Sequence, residues 1–142
     1  MSGKTFTAQV DDIIRNVEAR MTALVRSSVN DVIEDAQTPV AKGGNMRVDT
    51  GFLRNSGMPS LNGMPSGPSR PESKVPGSYT YSDYAARLVI ANYQLGQTIY
   101  YGWTANYAKY RNAYDGFLDN AVQKWPQIVE RRANELKQRI VS

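Results

Sequence analysis

The chain has 142 residues and a formal net charge of +4, and its length suggests one domain with a moderate core. It contains no cysteine and no histidine, which excludes disulfide bridges, Cys/His zinc sites and a Ser-His-Asp triad within the chain. Its 13 acids are interspersed with 17 bases, so the charge alone does not indicate nucleic-acid binding. No run of about 18 apolar residues occurs, so we expect no transmembrane helix and no membrane partner.

The first predicted element is a long N-terminal helix over 5–38. Thr5 or Thr7 is suited to cap its start, and Pro39 ends it because a proline disfavours helical geometry in the preceding residue. Thirty helical residues span about 45 Å, which is long for a small domain, so part of the apolar stripe is expected to face a partner chain. The stripe has steps of three and four and contains Val10, Ile13, Ile14, Val17, Met21, Leu24, Val25, Val29, Val32 and Ile33.

A long loop is predicted over 57–78, where 14 of 22 residues are glycine, proline or serine. A β-hairpin region follows over 84–110. Residues 86–95 and 98–103 are rich in β-formers, and Gly96 and Gln97 fit a two-residue turn between them. The sequence ANYAKYRNAY then predicts an irregular strand or turn.

A C-terminal helix is predicted over 115–141, with Asp115 as its cap and a kink near Pro126. Two amphipathic helices that cover one face of a small antiparallel sheet make an α+β domain. The predicted fold is therefore a single α+β domain, with a long loop between its N-terminal helix and its sheet.

The triplet Asp49-Thr50-Gly51 also occurs in the active-site strand of aspartic proteases, where two carboxylates share a proton. Such a triplet should follow a hydrophobic strand and be flanked by small residues. Here it follows KGGNMRV and precedes the bulky Phe52 and Leu53. We therefore expect Asp49 or Thr50 to cap a short helical turn, and we expect no catalytic residue.

Three other groups of residues are candidates for binding. Asp31, Glu34 and Asp35 share a helical face, where a hard metal could bind, but a solvated face or a surface for a basic partner is favoured. Basic residues of the last helix could bind DNA phosphates, but acids alternate with them. The tyrosines favour a sheet and a protein interface over stacking on bases or a sugar, and no metal or cofactor is expected. The interface candidates are Tyr100, Tyr101, Trp103, Tyr107, Tyr110, Met58 and Met64.

The order of elements resembles the tail-completion proteins of long-tailed bacteriophages, which are also called head–tail connector or neck proteins. A D-T-G-x-L-R-x-S stretch between the first helix and the sheet is typical of that family. Two shorter motifs also match: Y-A after the hairpin, at Tyr107 and Ala108, and F-L-x-x-A at the start of the last helix, at Phe117, Leu118 and Ala121. The first motif is matched by Asp49, Thr50, Gly51, Leu53, Arg54 and Ser56.

The resemblance implies a non-enzymatic virion protein of the neck, made in the host cytoplasm. Its subunits would form a ring, a hexamer as is usual in that family, that binds a head-completion or connector protein and a tail terminator or tail-tube protein. Genomic DNA would pass through the lumen without sequence-specific binding. The 57–78 loop would dock on a neighbouring protein and become ordered on assembly. A tail terminator, a minor tail protein and a small basic DNA-binding module are the alternatives.

Overall fold

The computed structural model of the chain describes residues 5–65, 79–105 and 107–141. Long helices at both ends and a small antiparallel sheet make an α+β fold, which confirms the predicted class. No helix in these ranges combines the length and the apolar character needed to cross a bilayer. The elements are α1 (Phe6–Gln37), a 3-10 turn (Val40–Lys42), α2 (Phe52–Asn55), β1 (Gly57–Ser60), α3 (Tyr84–Ala91), β2 (Tyr100–Trp103), α4 (Ala108–Asp115), α5 (Phe117–Gln123) and α6 (Trp125–Val141).

The long helix α1 organises the fold. The Thr5 hydroxyl caps its start by accepting a hydrogen bond from the Ala8 amide at 3.1 Å, and Thr38 already has extended geometry before Pro39. The C-terminal half of α1 packs against α3, α5 and α6, and its ion pairs with Lys124 and Arg132 show that α6 runs antiparallel to it. The N-terminal half extends beyond these helices, and nearly all of its residues are exposed.

The sheet pairs two strands that are far apart in the sequence. β1 and β2 are antiparallel, with Gly57 opposite Trp103 and Ser60 opposite Tyr100. The hairpin predicted over 84–110 is therefore wrong, because β2 pairs with the start of the predicted loop. In that loop, 57–60 form β1, and 66–78 lie outside the described residues.

Residues 84–91 form helix α3 instead of a strand, although Leu, Val and Ile are frequent in the segment. A helix places Ile90 and, one turn later, Tyr93 against the core, where both are buried. Burial at this helical spacing outweighs the weaker intrinsic preference for a strand. Gly96 does lie in a turn, with a left-handed φ of 99°, but that turn connects α3 to β2.

The C-terminal helix predicted over 115–141 is divided into α5 and α6, and helix α4 precedes them where an irregular strand or turn was predicted. ANYAKYRNAY forms most of α4, and Asp115 ends α4 instead of capping the next helix. Gly116 has a left-handed φ of 65° and turns the chain into α5, whose first amides donate to the Asn112 side chain. The chain then breaks at Lys124, and α6 follows with Pro126 in its first turn, where a missing amide costs nothing.

A buried cluster joins the segment after α1 to the sheet and to α5. Met46 and Phe117 are almost completely buried in it, and Leu53 and Ala105 complete it. Trp103 packs edge-to-face on Phe117, with ring centroids 5.0 Å apart. This cluster holds the D-T-G-x-L-R-x-S segment against the end of the sheet.

Candidate functional site

The D-T-G-x-L-R-x-S segment forms a sharp corner between α1 and β1. The buried Thr50 hydroxyl accepts a hydrogen bond from the Phe52 amide at 3.2 Å, which closes a tight turn before α2, whose N-cap is Gly51 and not Asp49 or Thr50. Gly51 has a left-handed φ of 92°, and a Cβ there would lie 2.8 Å from the Tyr79 carbonyl oxygen. Thr50 and Gly51 therefore fix the direction in which the chain leaves the corner.

The second half of the motif ties the corner to both neighbouring elements. Leu53 lies in the core, and the Arg54 Nε donates to the carbonyl of Gln37 at the end of α1, at 2.8 Å. The Arg54 guanidinium also lies 3.9 Å above the ring of Tyr81. The Ser56 hydroxyl donates to the Leu53 carbonyl at 2.7 Å, while the Ser56 carbonyl accepts from the Thr104 amide just after β2.

Gln37 is the polar centre of this corner. Its Nε2 donates to the Arg54 carbonyl at 3.0 Å and to the Tyr101 hydroxyl at 2.9 Å, and its Oε1 accepts from the Trp103 Nε1 at 3.0 Å. An indole N–H can only donate and a carbonyl can only accept, so these partners fix the orientation of the amide. The buried side chain is thus hydrogen-bonded on both of its polar atoms, which makes it a rigid connection between α1, α2 and β2.

Gly57 leaves the space that this polar centre occupies. A Cβ on Gly57 would lie 2.5 Å from Gln37 Nε2, 2.7 Å from the Tyr101 hydroxyl and 2.8 Å from Trp103 Nε1. Burial also raises the pKa of the Tyr101 hydroxyl well above its ordinary value, so the hydroxyl stays protonated. We call Gln37, Arg54, Gly57, Tyr101 and Trp103 the Gln37 cluster.

The seven predicted interface residues fall into two groups. Tyr101 and Trp103 belong to the Gln37 cluster, and Tyr107 packs on Phe52, with ring centroids 6.1 Å apart. These three residues stabilise the fold. Tyr110, Met58 and Met64 are exposed, and Tyr100 is half-buried, so these four remain candidates for contact with a partner.

Two acids near the end of α1 bind basic residues of α6 and the lysine that precedes it. Asp31, whose side chain is 10% exposed, accepts from Arg132 at 2.6 and 2.7 Å and from Arg131 at 3.0 Å, and Asp35 pairs with Lys124. The hydrogen bond from Arg132, assisted by Arg131, lowers the pKa of Asp31 despite partial burial. Of the three acids proposed as a metal site, two are thus engaged in ion pairs. Within the described ranges, no group of three or more acids is placed to hold a metal ion.

Asp49 is exposed at the rim of an open cavity of about 420 Å³, which Arg47 and Arg111 also line. Gly51 leads from it into a helical turn, whereas a protease triplet lies on a strand. Arg111 is already paired with Asp115, at 2.6 Å. Around this cavity, Asp49 is thus an exposed carboxylate, and Arg111 is held in an ion pair within the chain.

The N-terminal half of α1 carries an exposed apolar surface. We call residues 6–21 the arm, and its apolar residues the arm stripe. Exposure in the stripe ranges from 36% at Val10 to 81% at Phe6. The arm stripe consists of Phe6, Val10, Ile13, Ile14, Val17 and Met21.

Sequence reasoning missed the most connected residue of the corner, Gln37. A glutamine at the end of an amphipathic helix gives no signal that it is buried, because its partners come from segments 17, 64 and 66 residues further along the chain. The arm did give a signal, since the apolar stripe is too long for so small a domain. Comparison of the chain with known protein families, with curated proteins and with solved structures finds no match.

Proposed function

We propose that the chain is a structural virion protein, a tail-completion or neck subunit that forms a homo-oligomeric ring between the phage tail and the head-side connector. The observation that carries this proposal is the arm, which presents six large apolar side chains to solvent. Exposed apolar surfaces of this extent are typical of protein–protein interfaces. A subunit of a closed ring needs such surfaces to contact its neighbours.

The corner supports the same role. The Gln37 cluster joins α1 rigidly to the sheet, so that the direction of the arm relative to the body is fixed by hydrogen bonds and packing. A ring closes only if every subunit holds the same angle to the next. The family-like motif D-T-G-x-L-R-x-S thus lies where a fixed angle is needed.

The structure gives little support to the alternative of a DNA-binding module. Arg131 and Arg132, which are prominent among the basic residues of α6, bind Asp31 within the same chain. These two arginines are thus engaged in ion pairs that hold α1 and α6 together. A neck lumen needs only to pass DNA, and this does not require a basic recognition surface.

The proposal is tested by electron microscopy of particles assembled without this protein. We expect filled heads and separate tails, and restoration of joined particles when the chain is supplied from a plasmid. The same plasmid carrying Asp49→Asn is the control for a protease role, and it should restore joining as well as the wild type does. Joined particles in the absence of the chain would contradict the proposal.

A further inference from the structure

The arm is a helical extension with no cover from the described part of its own chain. Its 16 residues span about 24 Å, and α6, which covers the C-terminal half of α1, ends before it. Asp35 pairs with Lys124 and Asp31 with Arg132, so α6 runs towards the arm and stops at Val141.

The arm stripe continues a surface that is already a helix–helix interface. Val10 and Ser28 are 18 residues apart, which is five full turns, so they point in the same direction from the axis. Ser28 is buried beside the residues that bind α6. The face that packs on a helix near the body therefore runs on, apolar and exposed, along the arm.

The spacing of the stripe fits another helix. Val10, Ile14, Val17, Met21 and Leu24 alternate in steps of four and three, which is the heptad spacing of a coiled-coil seam. Phe6 and Ile13 widen the apolar face to about 100°, more than a two-stranded seam needs, so one arm can touch a helix on each side.

The charges around the stripe argue against a membrane or a nucleic acid as the occupant. The arm carries three acids and two arginines, whereas helices that bind anionic surfaces are lysine- and arginine-rich. Asp11 and Glu18 lie along one edge of the stripe, and Arg20 lies along the other. Two antiparallel arms would place acidic edge against acidic edge, while parallel arms place each acidic edge beside the Arg20 edge.

We propose that the arm stripe binds the arm of a second copy of this chain, with the two helices parallel. The wide stripe then lets each arm contact two neighbours in a closed ring. This last step rests on the proposed function, whereas the parallel contact between two arms does not. The arms thus form a subunit–subunit interface outside the globular body.

The chain has no cysteine, so single cysteines report this contact directly. In full-length Val17→Cys, parallel arms bring two identical seam positions within reach of a disulfide. Ala19→Cys, also exposed but on the opposite face, is the matched control. Under mild oxidation we expect the Val17→Cys chain to form a disulfide-linked dimer at least tenfold faster, on non-reducing gels. Equal rates would overturn the proposal.

A mixture of Ile14→Cys and Val17→Cys chains tests the orientation, since antiparallel arms place position 14 opposite position 17. Faster cross-linking in the mixture than in Val17→Cys alone would overturn the parallel arrangement. The variants replace exposed side chains, and circular dichroism checks that helix content is unchanged. If Val17→Cys cross-links while particles lacking the chain are still joined, the interface stands and the neck function fails. If joining needs the chain but Val17→Cys does not cross-link, the neck function stands and this interface fails.

Discussion

Replacing Gly57 by alanine tests whether the Gln37 cluster is as closely packed as its geometry indicates. The added methyl would lie 2.5–2.8 Å from three polar atoms, the nearest being Gln37 Nε2. Contacts of this kind are favourable only at about 3.5–4.0 Å, so either the strand or the glutamine must move. Gly57 does not have a left-handed φ, so the effect is one of space and not of backbone strain.

The expected cost follows from what must give way. Overpacking a well-packed site costs about 1–3 kcal/mol. If Gln37 is displaced, three hydrogen bonds worth about 1 kcal/mol each are weakened or lost. Allowing for partial relaxation, we expect Gly57→Ala to lower the free energy of unfolding by about 2–4 kcal/mol.

Urea unfolding, followed by circular dichroism and tryptophan fluorescence at one fixed protein concentration, measures this loss. Gly102→Ala is the matched control in the paired strand, because its methyl would approach the flexible end of Met64 at 3.2 Å and would meet Pro65 only at ordinary contact distances of 3.6 and 3.9 Å. We expect that control to cost less than about 1 kcal/mol. In a Gln37→Ala background, Gly57→Ala should cost less than in the wild type, because its nearest neighbour is gone. Equal losses for Gly57→Ala and Gly102→Ala would refute the close packing of the cluster.

Two further substitutions test the contact between α1 and α6. Asp31→Asn should cost about 1–2 kcal/mol at neutral pH, whereas Asp83→Asn, in an exposed pair with Arg87, should cost a few tenths. Because its arginines lower the pKa of Asp31, this contribution is complete above pH 3.8 and is lost as the pH falls through the lower native pKa. Urea unfolding across that range checks the sign, and a difference between wild type and Asp31→Asn that persists in acid would contradict it. The Ser28 hydroxyl is buried with no hydrogen-bond partner in the described part of the chain, so Ser28→Ala should stabilise the protein by about 1 kcal/mol. A lower thermal midpoint for Ser28→Ala would show that the hydroxyl has a partner.

The parts of the fold that follow from local pattern were predictable. Helix α1 was predicted within a residue or two at each end, because its stripe, the Thr5 cap and Pro39 act within a few residues of one another. The helical character of 117–141 followed from the same kind of periodicity, whereas α4 was not predicted. The turn at Gly96 was also located, although the elements on either side of it were not both strands.

The pairing of the strands was not predictable from local pattern. β1 begins inside a segment whose glycine and proline content indicates a loop, and the residues paired with it lie 40 to 46 positions further along the chain. The strand forms because Gly57 fits against Gln37 and Tyr101, a fact that depends on three distant segments meeting. The prediction for 84–91 was wrong for a related reason. Burial of Ile90 and Tyr93, and not the content of β-formers, decides the conformation of this segment.

The roles of the motif residues were predictable only in part. The sequence pointed to Asp49 or Thr50 as the cap, but the N-cap of α2 is Gly51, without a side-chain cap bond, and Thr50 instead accepts from the Phe52 amide in the turn before the helix. Arg54 gave no sign that it would bind the last carbonyl of α1 and the ring of Tyr81. Such contacts join residues 17 and 27 positions apart, which no spacing rule within one element can reveal.

The position of this protein within the particle tests the central claim most directly. Purified particles would be labelled with a gold-conjugated antibody to the chain and imaged by electron microscopy. If the chain is a neck subunit, the label will lie at the junction between head and tail. Label along the tail, label inside the head, or particles without the protein would contradict a neck role.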